Sequence, residues 1–206
     1  MRLLRAKEKK ERALGTRLGL KAYRSQSPKS AMLRRPERPG MHGKKRTRAF
    51  SEFKQQLMEK QKVKISYGLT ERQMEKLFAK AASGKKSVTE SVIEQLETRL
   101  DNVVYRMSLA PSRIVARQII SHGHIEVQGR KVTIPSYVVR VGDEIRIKES
   151  KRTSPLFRDL ANILKTKHQE SWFAVDGAKY TGKVTAIPQD VELPCDINLV
   201  VDYYSR

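Results

Sequence analysis

Residues 96–147, LETRLDNVVYRMSLAPSRIVARQIISHGHIEVQGRKVTIPSYVVRVGDEIRI, decide the fold. Leu96, Leu100, Val103, Val104 and Met107 recur at helical spacing and form one apolar face. Arg99, Asn102 and Arg106 fall three or four residues apart on another face of the same helix. Pro111 and Ser112 interrupt the pattern, and Ser112 is suited to cap a second helix by accepting a first-turn N–H. That helix, RIVARQIISH, turns Val115, Ala116, Ile119 and Ile120 inward and sets Arg113 and Arg117 one turn apart outside. Gly123 stops it, as the residue that most easily takes the left-handed conformation at a helix end.

The chain then changes period. Ile125 and Val127 alternate with Glu126 and Gln128, Gln128-Gly129 makes a tight turn, and Val132 and Ile134 alternate on the return, which reads as a β-hairpin. Pro135 ends the return strand, since a central strand tolerates no proline. Tyr137-Val138-Val139 leads to a second turn at Gly142-Asp143, after which Ile145 and Ile147 alternate. Arg99, Asn102, Arg106, Arg113, Arg117, His122, His124 and Arg130 are expected to converge where the two helices meet the hairpin. Tyr105, Ser112 and Gln118 lie on the same helices and join them as candidate RNA contacts. Donors drawn from several elements suit phosphates and 2′-hydroxyls of RNA; a solvated basic face on a small α+β unit is the alternative.

The string LDNVVYRM…SRIVARQIISHGHIEVQGRKVTIPSYVVRVGDEI resembles the RNA-binding module named after the fourth protein of the small ribosomal subunit. The stretches GMHGKKR, FSEFKQQLMEKQKVKISYGLTERQ and the terminal YYSR resemble the rest of that ribosomal protein family. The resemblance runs from about Ser27 to Arg206, with its motifs in order. It implies an α+β fold: a helical N-terminal domain with a basic arm, and an RNA-binding module of two helices packed on an antiparallel β-sheet. The expected organisation is an arm over 1–48, a helical domain over 49–95 with the tail 190–206 packing back on it, and the module with its C-terminal extension over 96–189.

Composition agrees with a polyanion-binding protein. The 206 residues carry a formal charge of +21 with 38% hydrophobic residues, enough for a modest core. Nucleic acid is the first choice of polyanion and an anionic membrane surface the second. No run of about 18 apolar residues occurs, so no bilayer span is expected, and the ribosomal resemblance implies no membrane partner. The N-terminus has basic residues without the apolar stretch of a secretory signal. One cysteine, Cys195, excludes an internal disulfide and any multi-cysteine zinc site. Many relatives in the family carry four zinc-binding cysteines in the arm; this arm has none, so no metal and no cofactor is expected. His42 reads as a turn residue or RNA contact.

Residues 1–48 hold 17 Lys and Arg against 3 Glu, a net of +14 out of +21. Two prolines and two glycines within MLRRPERPGMHGKKRTR leave this arm unable to bury a core of its own. It is either a disordered tail or an arm that RNA orders, with Lys44, Lys45, Arg46 and Arg48 its densest contact cluster. Over 49–95 the expectation is three helices. Ser51 caps the first, which turns Phe53, Leu57 and Val63 inward and ends at Gly68. Thr70 and Gln73 form a capping box before Met74, Leu77, Phe78 and Ala81. Ser87 and Glu90 repeat it, and the third helix is expected to run on through LETRLDNVVYRM. Lys60, Lys62 and Lys64, on outer faces, extend the RNA surface.

Beyond Ile147, Pro155 suits a first helical turn, and Leu156, Phe157, Leu160, Ile163 and Leu164 predict an amphipathic helix. Trp172–Val175 and Gly182–Ile187 read as strands around a turn at Asp176-Gly177, with Trp172 in the core. Periodicity leaves DINLVVDYYSR open between helix and strand.

No phosphate loop, zinc-protease pair or nucleophile elbow is present, so an enzyme is not expected. Asp101 reads as a helix-surface partner for nearby arginines. The resemblance implies a structural constituent of the small ribosomal subunit, in the ribosome of the cytoplasm or of an organelle. Such a protein binds rRNA near a helix junction of the 5′ domain and nucleates assembly of the subunit body. It contributes to translational accuracy beside neighbouring protein five and lines the path by which mRNA enters. The alternatives are a stand-alone RNA chaperone, or an RNA-modifying enzyme carrying the same module.

Overall fold

The computed structural model describes residues 7–21, 27–45, 49–152, 154, 157, 171–177, 179–188 and 191–205. Among them the helices are α1 (Lys7–Leu14), α2 (Ala31–Arg34), α3 (Glu52–Ser66), α4 (Glu71–Ala82), α5 (Val88–Glu97), α6 (Leu100–Arg106), α7 (Arg113–Ser121) and α8 (Ile197–Tyr204). The strands are β1 (Ile125–Val127), β2 (Arg130–Lys131), β3 (Glu144–Ile147), β4 (Phe173–Asp176) and β5 (Thr181–Val184). The chain divides into two compact units, Met1–Val92 with Glu192–Arg206, and Ile93–Val191.

In the second unit, α6 and α7 pack over a fully antiparallel sheet of order β2-β1-β3-β5-β4. Val103, Val104, Ala116, Ile119, Ile120, Ile125, Ile145 and Ile147 fill the space between helices and sheet. The α+β architecture is therefore the expected one. Ser112 caps α7 by accepting from the Val115 N–H, and Gly123 follows with φ 71°. The β1–β2 turn has positive φ at both Gln128 (49°) and Gly129 (75°), the combination whose twist matches a two-residue hairpin. Trp172 is buried, as expected.

Two expectations for this unit are corrected, and a third falls outside the described residues. The third helix does not continue through residues 88–107. Arg99 is extended (φ −67°, ψ 136°) and bridges Val138, separating α5 from α6. The backbone groups here pair with residues 135–139 instead: Val139 N–H donates to Thr98 O, Leu100 N–H to Tyr137 O and Asp101 N–H to Pro135 O. The return strand is only Arg130–Lys131, and Ile134 is 59% exposed, because the backbone after Val132 leaves the ladder to make those contacts. The amphipathic helix expected around Leu156, Leu160, Ile163 and Leu164 lies outside the described residues, though Phe157 is buried.

In the first unit, Ser51 caps α3 through the Lys54 N–H, and Thr70 and Gln73 make the capping box of α4 in both directions. Phe53 is corrected: it is 51% exposed, and the inward stripe of α3 is Gln56, Lys60 and Val63. The tail resolves as helix α8, capped by Asp196 and lying against α3 and α4. The arm, expected to bury nothing, buries Leu18 and Leu20, whose N–H groups both donate to the buried carboxylate of Glu11. The Glu11 carboxylate thus satisfies two backbone donors of the segment that follows α1.

Candidate nucleic-acid interface

The break between α5 and α6 builds the basic site. Asp101 stands in the first turn of α6, where the helix dipole favours a carboxylate, and is only 3% exposed. Its oxygens accept Arg99 Nε and Nη2 at 3.1 and 2.9 Å and Arg117 Nε and Nη2 at 3.0 and 2.5 Å. Arg99 arrives from the helix break and Arg117 from α7, so one buried acid clamps two elements.

Glu97, the last residue of α5, has no exposed surface. It accepts Asn102 Nδ2 at 2.6 Å and Arg106 Nε and Nη2 at 3.0 and 3.1 Å. Asn102 passes the connection on: its Oδ1 accepts Arg113 Nε at 2.7 Å, and the Arg113 guanidinium lies 4.6 Å from the Tyr105 ring centroid. Buried carboxylates are tolerable only when paired in this way, and the planar guanidinium fork is the group that pairs them on two oxygens at once. Four guanidiniums against two carboxylates leave the cluster with two net positive charges.

The structure thus brings together Arg99, Asn102, Tyr105, Arg106, Arg113 and Arg117, but not as the freely exposed set expected. Arg99, Arg106 and Arg117 side chains are 13%, 14% and 18% exposed. Asn102 is fully buried and Ser112 is consumed as the α7 cap, so both support the surface from beneath. Asp101 does pair with arginines, yet from a buried position. Gln118, His122 and Arg130 are exposed. His122 and His124 meet edge to face at the end of α7, with ring centroids 5.9 Å apart. His124 Nδ1 is buried without a partner, and burial, followed by Lys151 and His122, lowers its pKa, which favours the neutral imidazole.

In the first unit, Lys60 is corrected from an outer-face contact to a buried one. It is 5% exposed, donates to Glu71 at 2.9 Å and sits 4.2 Å from the Tyr203 ring centroid. Lys64 donates to the other Glu71 oxygen at 2.7 Å, and Tyr204 donates to the first at 2.8 Å. Burial pushes the Glu71 carboxyl up, but the bonds from Lys64, Lys60 and Tyr204 outweigh it and hold it down at about 2. Burial lowers the Lys60 ammonium; Glu71 and Tyr203 more than offset this and raise it. Lys62 is paired with Glu59 at 2.6 Å. Lys44 and Lys45 are exposed on a turn in which Gly43 N–H donates to Gly40 O; Arg46 and Arg48 lie outside the described residues.

The residue that sequence reading missed is Glu97. In LETRLDN it looks like one more polar helix residue, and only the break at Arg99 turns it inward. The Glu71–Tyr204 pair was equally hidden, since 133 residues separate its members. Among the described residues no helix is long and apolar enough to cross a membrane.

Residues 2–98 match the family described as ribosomal protein S4/S9 N-terminal domain, and residues 98–145 match the S4 domain. The chain is similar to the small ribosomal subunit protein uS4 of Thermus thermophilus, with 47% identity over 93% of each chain. It is similar to uS4 of Acetivibrio thermocellus, 42% identical over 93% of each, and of Nitratidesulfovibrio vulgaris, 40% identical over 98% of this chain and 97% of the other.

Proposed function

The chain belongs to the small ribosomal subunit protein uS4 family, whose members are structural ribosomal proteins, and on that premise we propose that it is a primary rRNA-binding protein of the small subunit. It docks near a helix junction of the rRNA 5′ domain and nucleates assembly of the subunit body. The observation that carries this reading is the cluster of Arg99, Arg106, Arg113 and Arg117. Guanidiniums drawn from the helix break, α6 and α7 into one net-positive site form a fixed pattern suited to RNA phosphates. Gln118, His122, His124 and Arg130 extend the contact over the end of α7 and the hairpin.

Lys44, Lys45, Arg46 and Arg48 of the arm contact rRNA, and the protein as a whole contributes basic side chains to the path by which mRNA enters. Neighbouring protein five is its partner in translational accuracy, and its place of work is the cytoplasmic ribosome. No metal or cofactor takes part, in keeping with an arm that lacks cysteine. Glu97 and Asp101, the buried acids of the module, are held in ion pairs with arginines.

Footprinting of the purified protein on an equimolar mixture of small- and large-subunit rRNA tests this reading. Protection confined to the small-subunit 5′ domain is expected. Uniform protection of both RNAs would instead describe a non-specific RNA chaperone.

A further inference from the structure

We propose that Glu97 and Asp101 are positioning residues for RNA recognition: two buried carboxylates that set the spacing and orientation of the arginines that read the rRNA fold. The inference rests on the proposed rRNA binding and adds a role to residues of the wrong charge for it. Acids beside an RNA surface ordinarily weaken binding by repelling phosphates. Here each acid anchors a forked guanidinium and ties arginines of two segments together, Asp101 directly and Glu97 by way of Asn102. Asp101 joins Arg99 to Arg117, which lies 16 residues further on from the acid. Glu97 joins Arg106 directly, and Arg113 through Asn102.

An unrestrained arginine side chain has considerable rotamer freedom, and ordering four of them on RNA would cost affinity. Held beforehand, they present one pattern, and only an RNA whose phosphates fit that pattern engages all of them. Preorganisation of this kind raises the affinity for the matching RNA while leaving weak, purely electrostatic association almost untouched. Removing either negative charge should therefore make the protein more basic and yet less selective.

The test uses full-length protein and two RNAs of equal length, a 5′-domain fragment of small-subunit rRNA containing the junction and an unrelated duplex. Asp101→Asn and Glu97→Gln are expected to lower the ratio of specific to non-specific affinity at least about tenfold, with non-specific affinity equal or higher. Arg99→Lys and Arg117→Lys keep the charge and lose the fork; they should lower the ratio in the same direction without changing the salt slope. Val104→Ala removes core packing without touching an acid or arginine, and should leave the ratio unchanged at a temperature where it is folded. If the acid variants fail to fold, the lysine variants decide.

Unchanged ratios in the acid or lysine variants would overturn the positioning role, as would an equal fall in Val104→Ala. A wild-type protein that does not discriminate between the two RNAs would overturn the rRNA-binding reading as well, and that outcome is visible before any variant is measured.

Discussion

Arg106 places Nε and Nη2 on the two oxygens of Glu97, at 3.0 and 3.1 Å, and Glu97 has no exposure to solvent. The arginine is therefore part of the core as well as of the basic surface. Replacing it by alanine strips a buried carboxylate of both guanidinium bonds. Arg106→Ala is expected to destabilise the protein by about 3–5 kcal/mol, the usual result of breaking a buried pair from one side. Adding Glu97→Gln removes the stranded charge and should restore much of that stability. Urea unfolding of the single and double variants measures both steps; equal stabilities for Arg106→Ala and wild type would mean the pair is not buried in solution.

How much of this was legible in the sequence depends on how local the determinant is. Ser51, Ser112 and the Thr70–Gln73 pair act within one turn of a helix, and their caps are where the residue types put them. The alternation of Ile125 with Val127, and of Ile145 with Ile147, likewise carries the sheet, since both pairs are buried. The helix break at Arg99 is different. Nothing in QLETRLDNVV stops a helix; the break exists because Thr98, Leu100 and Asp101 pair with residues 135–139, an interaction no local pattern encodes. The exposed reading of the arginines failed for the same reason. Helical spacing put Arg99 and Arg106 on a polar face, but only the tertiary break shows that buried acids lie beneath that face. Lys60 illustrates the converse: a lysine amid polar neighbours is buried because Tyr203, Tyr204 and Glu71 surround its ammonium.

The Glu71 cluster makes a pH prediction. The carboxyl lies at about 2 in the folded protein against 4.5 when unperturbed, so its folded-state pKa is depressed. A depressed carboxyl contributes stability that is fully present above the unfolded value and is lost as pH falls towards the folded one. The first unit should therefore lose stability between pH 4.5 and about 2, as Glu71 protonates and releases Lys60, Lys64 and Tyr204. Glu71→Gln should be less stable at neutral pH and lose less on acidification over that interval. Hydrogen exchange of the α8 amides at about pH 6 and about pH 3, either side of the ordinary carboxyl value, reads the effect where Tyr204 is anchored. An identical change in wild type and variant would remove Glu71 as the cause.

The turn bearing Lys44 and Lys45 depends on a glycine. A Cβ at Gly43 would sit 1.9 Å from the Arg38 carbonyl oxygen, and backbone on backbone cannot be relieved by a side-chain rotation. Gly43→Ala must rearrange the loop and re-aim both lysines. Because the turn is surface structure, the urea midpoint should change little, while RNA affinity should fall several-fold at moderate salt. A variant that binds RNA normally would show that the two lysines contribute charge alone and not a defined geometry.

The final prediction separates the charge of the arm from its structure. Residues 1–48 carry two-thirds of the excess positive charge, and their binding contribution should come mainly from counterions released by RNA phosphates. Yet the arm also contains a folded piece, in which Leu18 and Leu20 are buried over Glu11 and Arg12 donates to the Glu37 carbonyl. Deleting 1–48 therefore changes two things at once: the salt slope becomes shallower and the first unit loses some stability, while the second unit keeps its whole core. Lys44→Gln with Lys45→Gln removes charge from exposed positions and leaves the Leu18–Leu20 region intact. That double variant should unfold at the wild-type urea concentration and still flatten the plot of log affinity against log salt, by about 0.7–0.9 units for each phosphate no longer neutralised. Protease cleavage within 1–48 should be faster in the free protein than in the assembled subunit, because binding orders what charge alone cannot. A salt slope equal to wild type, with cleavage continuing after assembly, would reduce these lysines to solubilising charges and leave RNA binding to the arginine cluster of the module.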